Sequence, residues 1–320
     1  MNDATPRRYT GTLLERAASI YQLAPGALPP LAFEDEQPFA ATYDDARALD
    51  SAAPSPAAPA EAPAAAAPTR VAAVDRRRVS IDREALAAAG MIVPGASVTA
   101  LAEEFRLVKR QLLLTSRSVA AVDPDKARMM LVCSANPDDG KTFCAINLAM
   151  SLAAETDAEI LLVDADFAKP DVLQTLGVEA GAGLLDALAD PGIDAESLII
   201  DTDVPQLAIL PAGTRSNTDT EMLASERARA VLRGLVEANP RRIMVFDSPP
   251  ALAASPASEL AALVGQVMLV VRADRTSEAD LRAAVGLLDG CEHVQLVLNA
   301  VSYRPGGRRF GTYYDQEPVK

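Results

Sequence analysis

The sequence contains no tryptophan, a single histidine and three cysteines among its 320 residues. We expect the lone histidine, His293, to be an ordinary structural residue rather than a catalytic one. The cysteines, Cys133, Cys144 and Cys291, have neither paired spacing nor neighbouring histidines, so reduced thiols are expected rather than disulfides or a zinc site. No apolar run approaches the roughly 18 residues that a membrane span needs, and the first residues lack a signal-peptide core. We therefore predict a cytoplasmic protein with no membrane span of its own.

Positive charge is also in short supply. Lysine and arginine number 30 against 44 acidic residues, which gives a net charge of -14. Binding along a nucleic-acid backbone depends on clustered lysine and arginine, so nucleic acid is not an expected partner. The hydrophobic content of 49% is nevertheless sufficient for at least one enzyme-sized core.

The composition divides the chain into three parts. Residues 51–69 read SAAPSPAAPAEAPAAAAPT, a run of alanine and proline with little apolar area to offset the entropy of ordering. Upstream, residues 11–23 place apolar side chains at helical intervals, which predicts a short amphipathic helix. We expect residues 1–78 to be largely disordered apart from that helix, residues 79–301 to form a globular domain, and residues 302–320 to form a tail.

Short apolar runs alternate with helical patterns throughout the central part. The apolar runs are RMMLVCSA, EILLVDAD, LAILPAG, RIMVFDSPP, GQVMLVVRAD and VQLVLNAV. Helices are predicted at residues 99–117, 142–154, 221–238 and 277–289. Strands that are apolar on both faces and are separated by helices indicate an α/β fold with a doubly wound, mostly parallel sheet. Ligands of such sheets bind at the carboxyl ends of the strands.

A phosphate-binding loop is predicted at residues 135–142, ANPDDGKT, because they follow an apolar strand and open a helix. There Lys141 would reach the β- and γ-phosphates of ATP, and Thr142 would offer its hydroxyl to Mg²⁺. Backbone amides at the positive end of the helix would complete the cradle. These are the amides of Asp139, Gly140 and Phe143.

Three acidic residues follow other strands of the same predicted sheet. Asp164 and Asp166 end the run EILLVDAD, and Asp247 ends IMVFD. Each could merely cap the next helix, but three carboxylates beside Gly-Lys-Thr are costly to bury without a compensating cation. Mg²⁺, which prefers oxygen ligands, is the expected cation.

Several motifs in one order resemble the bacterial tyrosine kinase family of capsular and exopolysaccharide synthesis, especially its soluble autokinases that accompany exosortase-type systems. They are AEEFRLVKRQLL, SANPDDGKTFCAINLAMSLA, LLVDADFAKPDV, LLPAGTRSNTDTEMLASERARAVL and VFDSPPAL, followed by a tail with tyrosines. The resemblance implies a P-loop NTPase fold of the partitioning and division ATPase subclass. It also implies transfer of phosphate from ATP to tyrosine with Mg²⁺.

The resemblance implies a role for each site residue. Lys141 and Mg²⁺ would hold the γ-phosphate, while Thr142 and Asp166 would ligate the metal and Asp247 would act through water. Either Asp164 or Asp166 would be the base that receives the tyrosine proton. Asn299 would contact adenine by its family position.

The resemblance also implies assembly into a ring and phosphorylation in trans. Glu103, Arg106 and Lys109 match the helix motif through which such kinases form rings, although lysine in the last place cannot reproduce a bidentate guanidinium contact. The expected phosphate acceptors lie in the tail. They are Tyr303, Tyr313 and Tyr314. The expected partner is a separate membrane-embedded regulator of polysaccharide chain length, which would recruit the protein to the inner face of the plasma membrane.

Asp138 departs from the family pattern, because relatives usually have glycine at this place in the loop. A positive φ there would cost an aspartate about 1 kcal/mol, and a carboxylate pointing inward would repel the phosphates. Weakened ATP affinity is the expectation. Two alternatives remain: a nucleotide-binding adaptor with little catalysis, and a partitioning-type switch ATPase. The second usually carries a lysine where this chain has Asn136.

Overall fold

The computed structural model describes residues 76–301, which form an eight-stranded sheet with helices on both faces. The strands are β1 (Arg78–Val79), β2 (Met129–Ser134), β3 (Glu159–Asp164), β4 (Ile200–Thr202), β5 (Leu207–Leu210), β6 (Arg242–Asp247), β7 (Gln266–Arg272) and β8 (Val294–Asn299). Their order is β1-β4-β5-β3-β6-β2-β7-β8, and every neighbouring pair is parallel except β4 with β5. The predicted doubly wound, mostly parallel sheet is confirmed.

Nine α-helices and two short 3₁₀ helices, Lys126–Arg128 and Ala195–Leu198, lie within the described range. The α-helices are α1 (Arg83–Ala88), α2 (Ala100–Ala120), α3 (Lys141–Leu152), α4 (Val172–Thr175), α5 (Leu184–Ala189), α6 (Asp219–Leu223), α7 (Glu226–Ala238), α8 (Pro256–Leu263) and α9 (Glu278–Leu287). Between residues 76 and 301, no helix combines the length and the apolarity that crossing a bilayer requires.

Two hydrophobic cores cover the two faces of the sheet. Alternate residues of a strand point to opposite faces, so Leu131 and Cys133 of β2 enter one core while Met130 and Val132 enter the other. The first core packs against α5 to α9, and the second against α1 to α4. Burial on both faces explains why the strand sequences are continuously apolar rather than alternating.

Some local elements differ from the prediction. The prediction of a single helix over residues 221–238 is wrong, because this segment forms two helices, α6 and α7, and the second begins after Ser225. The Ser225 hydroxyl accepts a hydrogen bond from the Ala228 amide and so caps the start of α7. The strands β1 and β4 are too short to carry a periodic signal, and we did not predict them. The predicted N-terminal helix, the alanine and proline linker and the tail lie outside the described residues, and the domain limits stay predictions.

The register of the central strands determines where the acidic residues meet. β6 lies between β2 and β3, and Asp247 is in register with Asp164 of β3 and with Val132 of β2. Both aspartates therefore lie at the carboxyl ends of neighbouring central strands, next to the loop that follows β2.

A buried arginine pairs with acidic residues at the amino ends of the strands, on the side of the sheet opposite to the aspartates. Arg242, at the start of β6, is only 1% exposed. Its guanidinium donates to Glu159 Oε1 at 2.8 and 3.0 Å, to Glu196 at 2.7 and 2.8 Å, and to the Leu235 carbonyl at 2.8 Å. Burial alone would raise the pKa of Glu196, but the Arg242 and Arg76 guanidinium groups lower it. This network is fully paired, so it connects β3, β6 and the segment before β4 without an unbalanced charge.

We expect Arg242→Met to lower the free energy of unfolding by about 2 to 4 kcal/mol, because two half-buried glutamates lose their partner. Arg241→Met is the matched control: this neighbouring arginine is exposed, and its replacement should change stability by less than about 0.5 kcal/mol. Urea denaturation of both variants measures the difference. Equal stabilities would show that the network contributes nothing.

Candidate active site

The phosphate-binding loop joins the end of β2 to the start of α3. Its backbone has a positive φ at two residues, Asp138 (62°) and Gly140 (95°). A Cβ atom at Gly140 would lie 2.2 Å from Asn299 Nδ2, so both conformation and space require glycine there. The first amides of α3 have no partner within the helix and are free to receive an anion.

The two aspartates of the loop have different environments. The Asp138 side chain is exposed, and its backbone carbonyl accepts a hydrogen bond from the Arg272 guanidinium at 2.6 Å. Asp139 is fully buried, and its Oδ2 accepts from the Asn136 amide at 3.1 Å and from Thr276 Oγ1 at 3.2 Å. The positive φ expected at Asp138 is present, but its carboxylate points to solvent, where it is screened.

Lys141 lies against the acidic residues that follow β3. Its Nζ is 2.7 Å from Asp166 Oδ2 and 3.5 Å from the Thr142 hydroxyl. Asp166 Oδ1 accepts from the Lys169 amide at 3.1 Å. Burial alone would lower the pKa of Lys141, but the carboxylates of Asp247 and Asp166 outweigh this effect and raise it. Lys141 is therefore a firmly charged ammonium at the end of the loop.

Asp164 and Asp247 complete a buried acidic cluster. Asp164 accepts backbone hydrogen bonds on both oxygens, from the Asp166 amide at 3.3 Å and from the Val172 amide at 3.2 Å. Burial and the charge of Asp247 raise the pKa of Asp164 to about 8. Burial likewise raises the pKa of Asp247 to about 7, against the influence of Lys141. When all three acids are ionised, the negative charge at this place exceeds the positive charge available from Lys141.

The Asp247 carboxylate provides a test of whether a magnesium ion fits here. Both of its oxygens are buried, and neither has a well-formed hydrogen bond to any residue of the described domain. Across residues 76–301, no group of three or more acidic, histidine or cysteine side chains is arranged to hold a metal alone. Mg²⁺ at nucleotide sites commonly takes one or two protein oxygens, with phosphates and water as its other ligands. The donor set therefore fits this ion.

The side chains of two residues predicted to bind nucleotide contact other parts of the protein. Asn299 Nδ2 donates to the Asp139 carbonyl at 2.9 Å, so its side chain supports the loop. The Phe143 side chain packs against the core on the α1 to α4 side, which leaves its backbone amide as the group that could meet phosphate. The contacts of Asn299 with adenine and of Phe143 with phosphate stay predictions.

The three residues predicted to form a ring contact are not equivalent. Glu103 and Arg106 pair with each other on α2, and the Arg106 side chain is 49% exposed. Lys109 is bound within the same chain, at 2.6 Å from Glu155 Oε1 and 3.1 Å from the Ser151 carbonyl. Its ammonium is thus used in packing α2 on α3. The predicted acceptors Tyr303, Tyr313 and Tyr314 lie outside the described residues.

The sequence prediction missed three residues that contact the loop from a distance. Arg272 is the last residue of β7, Thr276 follows that strand, and Asp280 Oδ2 in α9 accepts from Asn136 Nδ2 at 3.2 Å. They are more than 130 residues away along the chain and belong to no recognisable motif. Only the folded structure shows their role.

Comparisons with known proteins find relatives that match parts of this chain. EpsB of Ralstonia nicotianae, a candidate tyrosine-protein kinase, is 32% identical over 195 residues, which cover 58% of this chain and 25% of EpsB. The succinoglycan biosynthesis transport protein ExoP of Rhizobium meliloti is 34% identical over 137 residues, or 42% of this chain and 16% of ExoP. The kinase domain of VpsO is 27% identical in sequence with a TM-score of 0.50, over 61% of this chain and 97% of that domain.

The chain is similar to bacterial tyrosine-protein kinases. It spans about a quarter of the length of EpsB. No protein-family model matches the chain. This similarity agrees with the cluster of Lys141 and three carboxylates at the carboxyl ends of the strands.

Because the Asp138 carboxylate is exposed, we expect Asp138→Asn and Asp138→Gly to tighten ATP binding by less than about threefold. Asparagine tolerates a positive φ and removes only the charge, whereas glycine also removes the backbone strain. Titration of a fluorescent ATP analogue at low salt and at about 0.5 M NaCl measures both effects, and the gain of Asp138→Asn, which comes from charge alone, should vanish at high salt. A tenfold gain that survives high salt would show that the carboxylate faces the phosphates.

Proposed function

We propose that this protein is an ATP-dependent tyrosine kinase that phosphorylates tyrosines in its own C-terminal tail and regulates exopolysaccharide synthesis. One observation carries the proposal. Lys141 and the acidic residues Asp164, Asp166 and Asp247 meet at the end of a phosphate-binding loop, and Asp247 has no well-formed hydrogen bond within the described domain. This arrangement suits a triphosphate with a divalent cation.

Mg²⁺ would be held by Thr142 and Asp166, with Asp247 acting directly or through water. When bound, it would supply positive charge that neutralises the phosphates during transfer. Lys141 would leave its contact with Asp166 in part and direct its ammonium to the β- and γ-phosphates. The helix α3 amides would hold the remaining phosphate oxygens.

We assign the role of base to Asp164. Lys141 occupies one oxygen of Asp166, whereas Asp164 accepts only backbone amides. An incoming tyrosine hydroxyl would give its proton to the ionised form of Asp164 while its oxygen bonds to the γ-phosphorus, the bond from that phosphorus to the β-phosphate oxygen breaks, and ADP leaves.

The C-terminal tail has the composition expected of the acceptor. Residues 302–320 contain four basic and two acidic residues, a net of +2 on a chain of -14. β8 ends at Asn299, whose side chain touches the loop, and the described residues end two positions later, at Val301. A basic tail would be attracted to the acidic body of a neighbouring copy, which favours transfer between subunits.

The proposal includes a ring of subunits and a membrane partner. Of the three predicted ring residues, Arg106 is the one that is exposed for contact with a second copy, while Glu103 pairs with it and Lys109 supports α3. A separate membrane-embedded regulator of chain length would recruit the protein to the inner face of the membrane. The similarity to ExoP, a polysaccharide transport protein, supports this association.

Incubation with Mg²⁺ and ATP should place phosphate on Tyr303, Tyr313 or Tyr314, detected by anti-phosphotyrosine blot and mass spectrometry. Lys141→Met should lower the rate about 100-fold or more, because it removes charge stabilisation at the transferred phosphate. Lys126→Met, at the opposite edge of the sheet, is the matched control and should leave the rate unchanged.

Replacing all three tail tyrosines by phenylalanine should abolish the signal. Undiminished phosphorylation of that variant would show that the tail is not the acceptor. No phosphorylation of the wild-type protein, even with the cytosolic segment of a regulator present, would favour a nucleotide-binding adaptor instead.

A further inference from the structure

The segment that links β7 to α9 supports the phosphate-binding loop from outside. We propose that Thr276 is a positioning residue, which acts through the buried Asp139 to keep this loop in its phosphate-binding conformation. The inference rests on the proposed use of ATP and adds a residue that no sequence motif marks. It assigns Asp139 a role in shaping the loop rather than in contacting nucleotide.

The hydroxyl of Thr276 makes two hydrogen bonds of fixed direction. Thr276 Oγ1 accepts from the Arg272 amide at 3.0 Å, and it lies 3.2 Å from Asp139 Oδ2. A hydroxyl has one proton, and the amide already supplies a donor, so that proton points to the carboxylate. Thr276 therefore joins the end of β7 directly to the middle of the loop.

Asp139 has few other partners. It is fully buried, and besides Thr276 its side chain accepts only from the Asn136 amide, also at Oδ2. Its other oxygen, Oδ1, is buried without a hydrogen bond to any described residue. A buried carboxylate that is already short of donors is strongly affected by losing one more.

The loop needs external support because of its backbone. The residues on either side of Asp139 both have positive φ, a conformation that an aspartate adopts at some cost. Three further contacts hold this shape from β7, α9 and β8. They are Arg272 to the Asp138 carbonyl, Asn136 to Asp280, and Asn299 to the Asp139 carbonyl. Because these elements fold independently of any ligand, the loop is organised before phosphate arrives.

Thr276→Val and Thr276→Ser form a matched pair that isolates the hydroxyl. Valine keeps the shape and removes both hydrogen bonds, whereas serine keeps the hydroxyl. We expect the valine variant to bind a fluorescently labelled ATP analogue with Mg²⁺ about tenfold more weakly than wild type. The affinity of the serine variant should stay within about twofold of wild type. In nucleotide-free protein, hydrogen–deuterium exchange of residues 136–142 should be faster in the valine variant alone.

Unchanged affinity and exchange in a folded Thr276→Val protein would overturn the inference. If that variant fails to fold, Asp280→Ala tests the same support from the exposed start of α9. It should also weaken binding and speed exchange at residues 136–142, and the absence of both effects would count against the inference. If wild-type protein binds no ATP analogue, the proposed function fails, while the exchange comparison still decides whether Thr276 organises the loop.

Discussion

At the carboxyl ends of the central strands, three buried acidic side chains lie near the single ammonium group of Lys141. The arrangement of the site follows from this imbalance between acidic and basic groups. The parallel register places Asp164 beside Asp247, and backbone hydrogen bonds between β3 and β6 prevent the two from moving apart. Lys141 contacts Asp166 and leaves Asp247 without a well-formed hydrogen bond. Burial is the main cause of the raised pKa values of Asp164 and Asp247, and neighbouring carboxylates add to it. A divalent cation that arrives with a triphosphate would compensate the negative charge of these carboxylates.

The charge cluster at the amino ends of the strands has a purely structural arrangement. There Arg242 is just as buried, yet its guanidinium hydrogen bonds are directed to two glutamates and a carbonyl. Each charge has a partner, so the network stabilises the starts of the strands and leaves no site for a ligand. The contrast between paired charges at one edge and unpaired charges at the other is the physical reason to locate catalysis beside Lys141.

The phosphate-binding loop combines an unusual sequence with strong support. Its two acidic residues do not compete with phosphate in the same way, because Asp138 points to solvent and Asp139 points into the protein. Contacts from β7 and β8 support the loop backbone at Asp138 and Asp139. Loss of the usual glycine is therefore compatible with an intact cradle. The same contacts make the loop sensitive to changes far away in the sequence, such as those at Thr276.

The sequence by itself determined the fold class and the core of the site. Apolar runs that are buried on both faces specify parallel strands, and acidic residues at their ends must meet at one edge, so Lys141, Asp164, Asp166 and Asp247 could be found without coordinates. The break at Ser225 was missed because propensity over a continuous helical pattern outweighs one capping residue. Only the tertiary structure decided which way each loop carboxylate points and that Thr276 holds Asp139. These outcomes depend on contacts between residues more than 130 positions apart, and no local pattern of side chains encodes such distances.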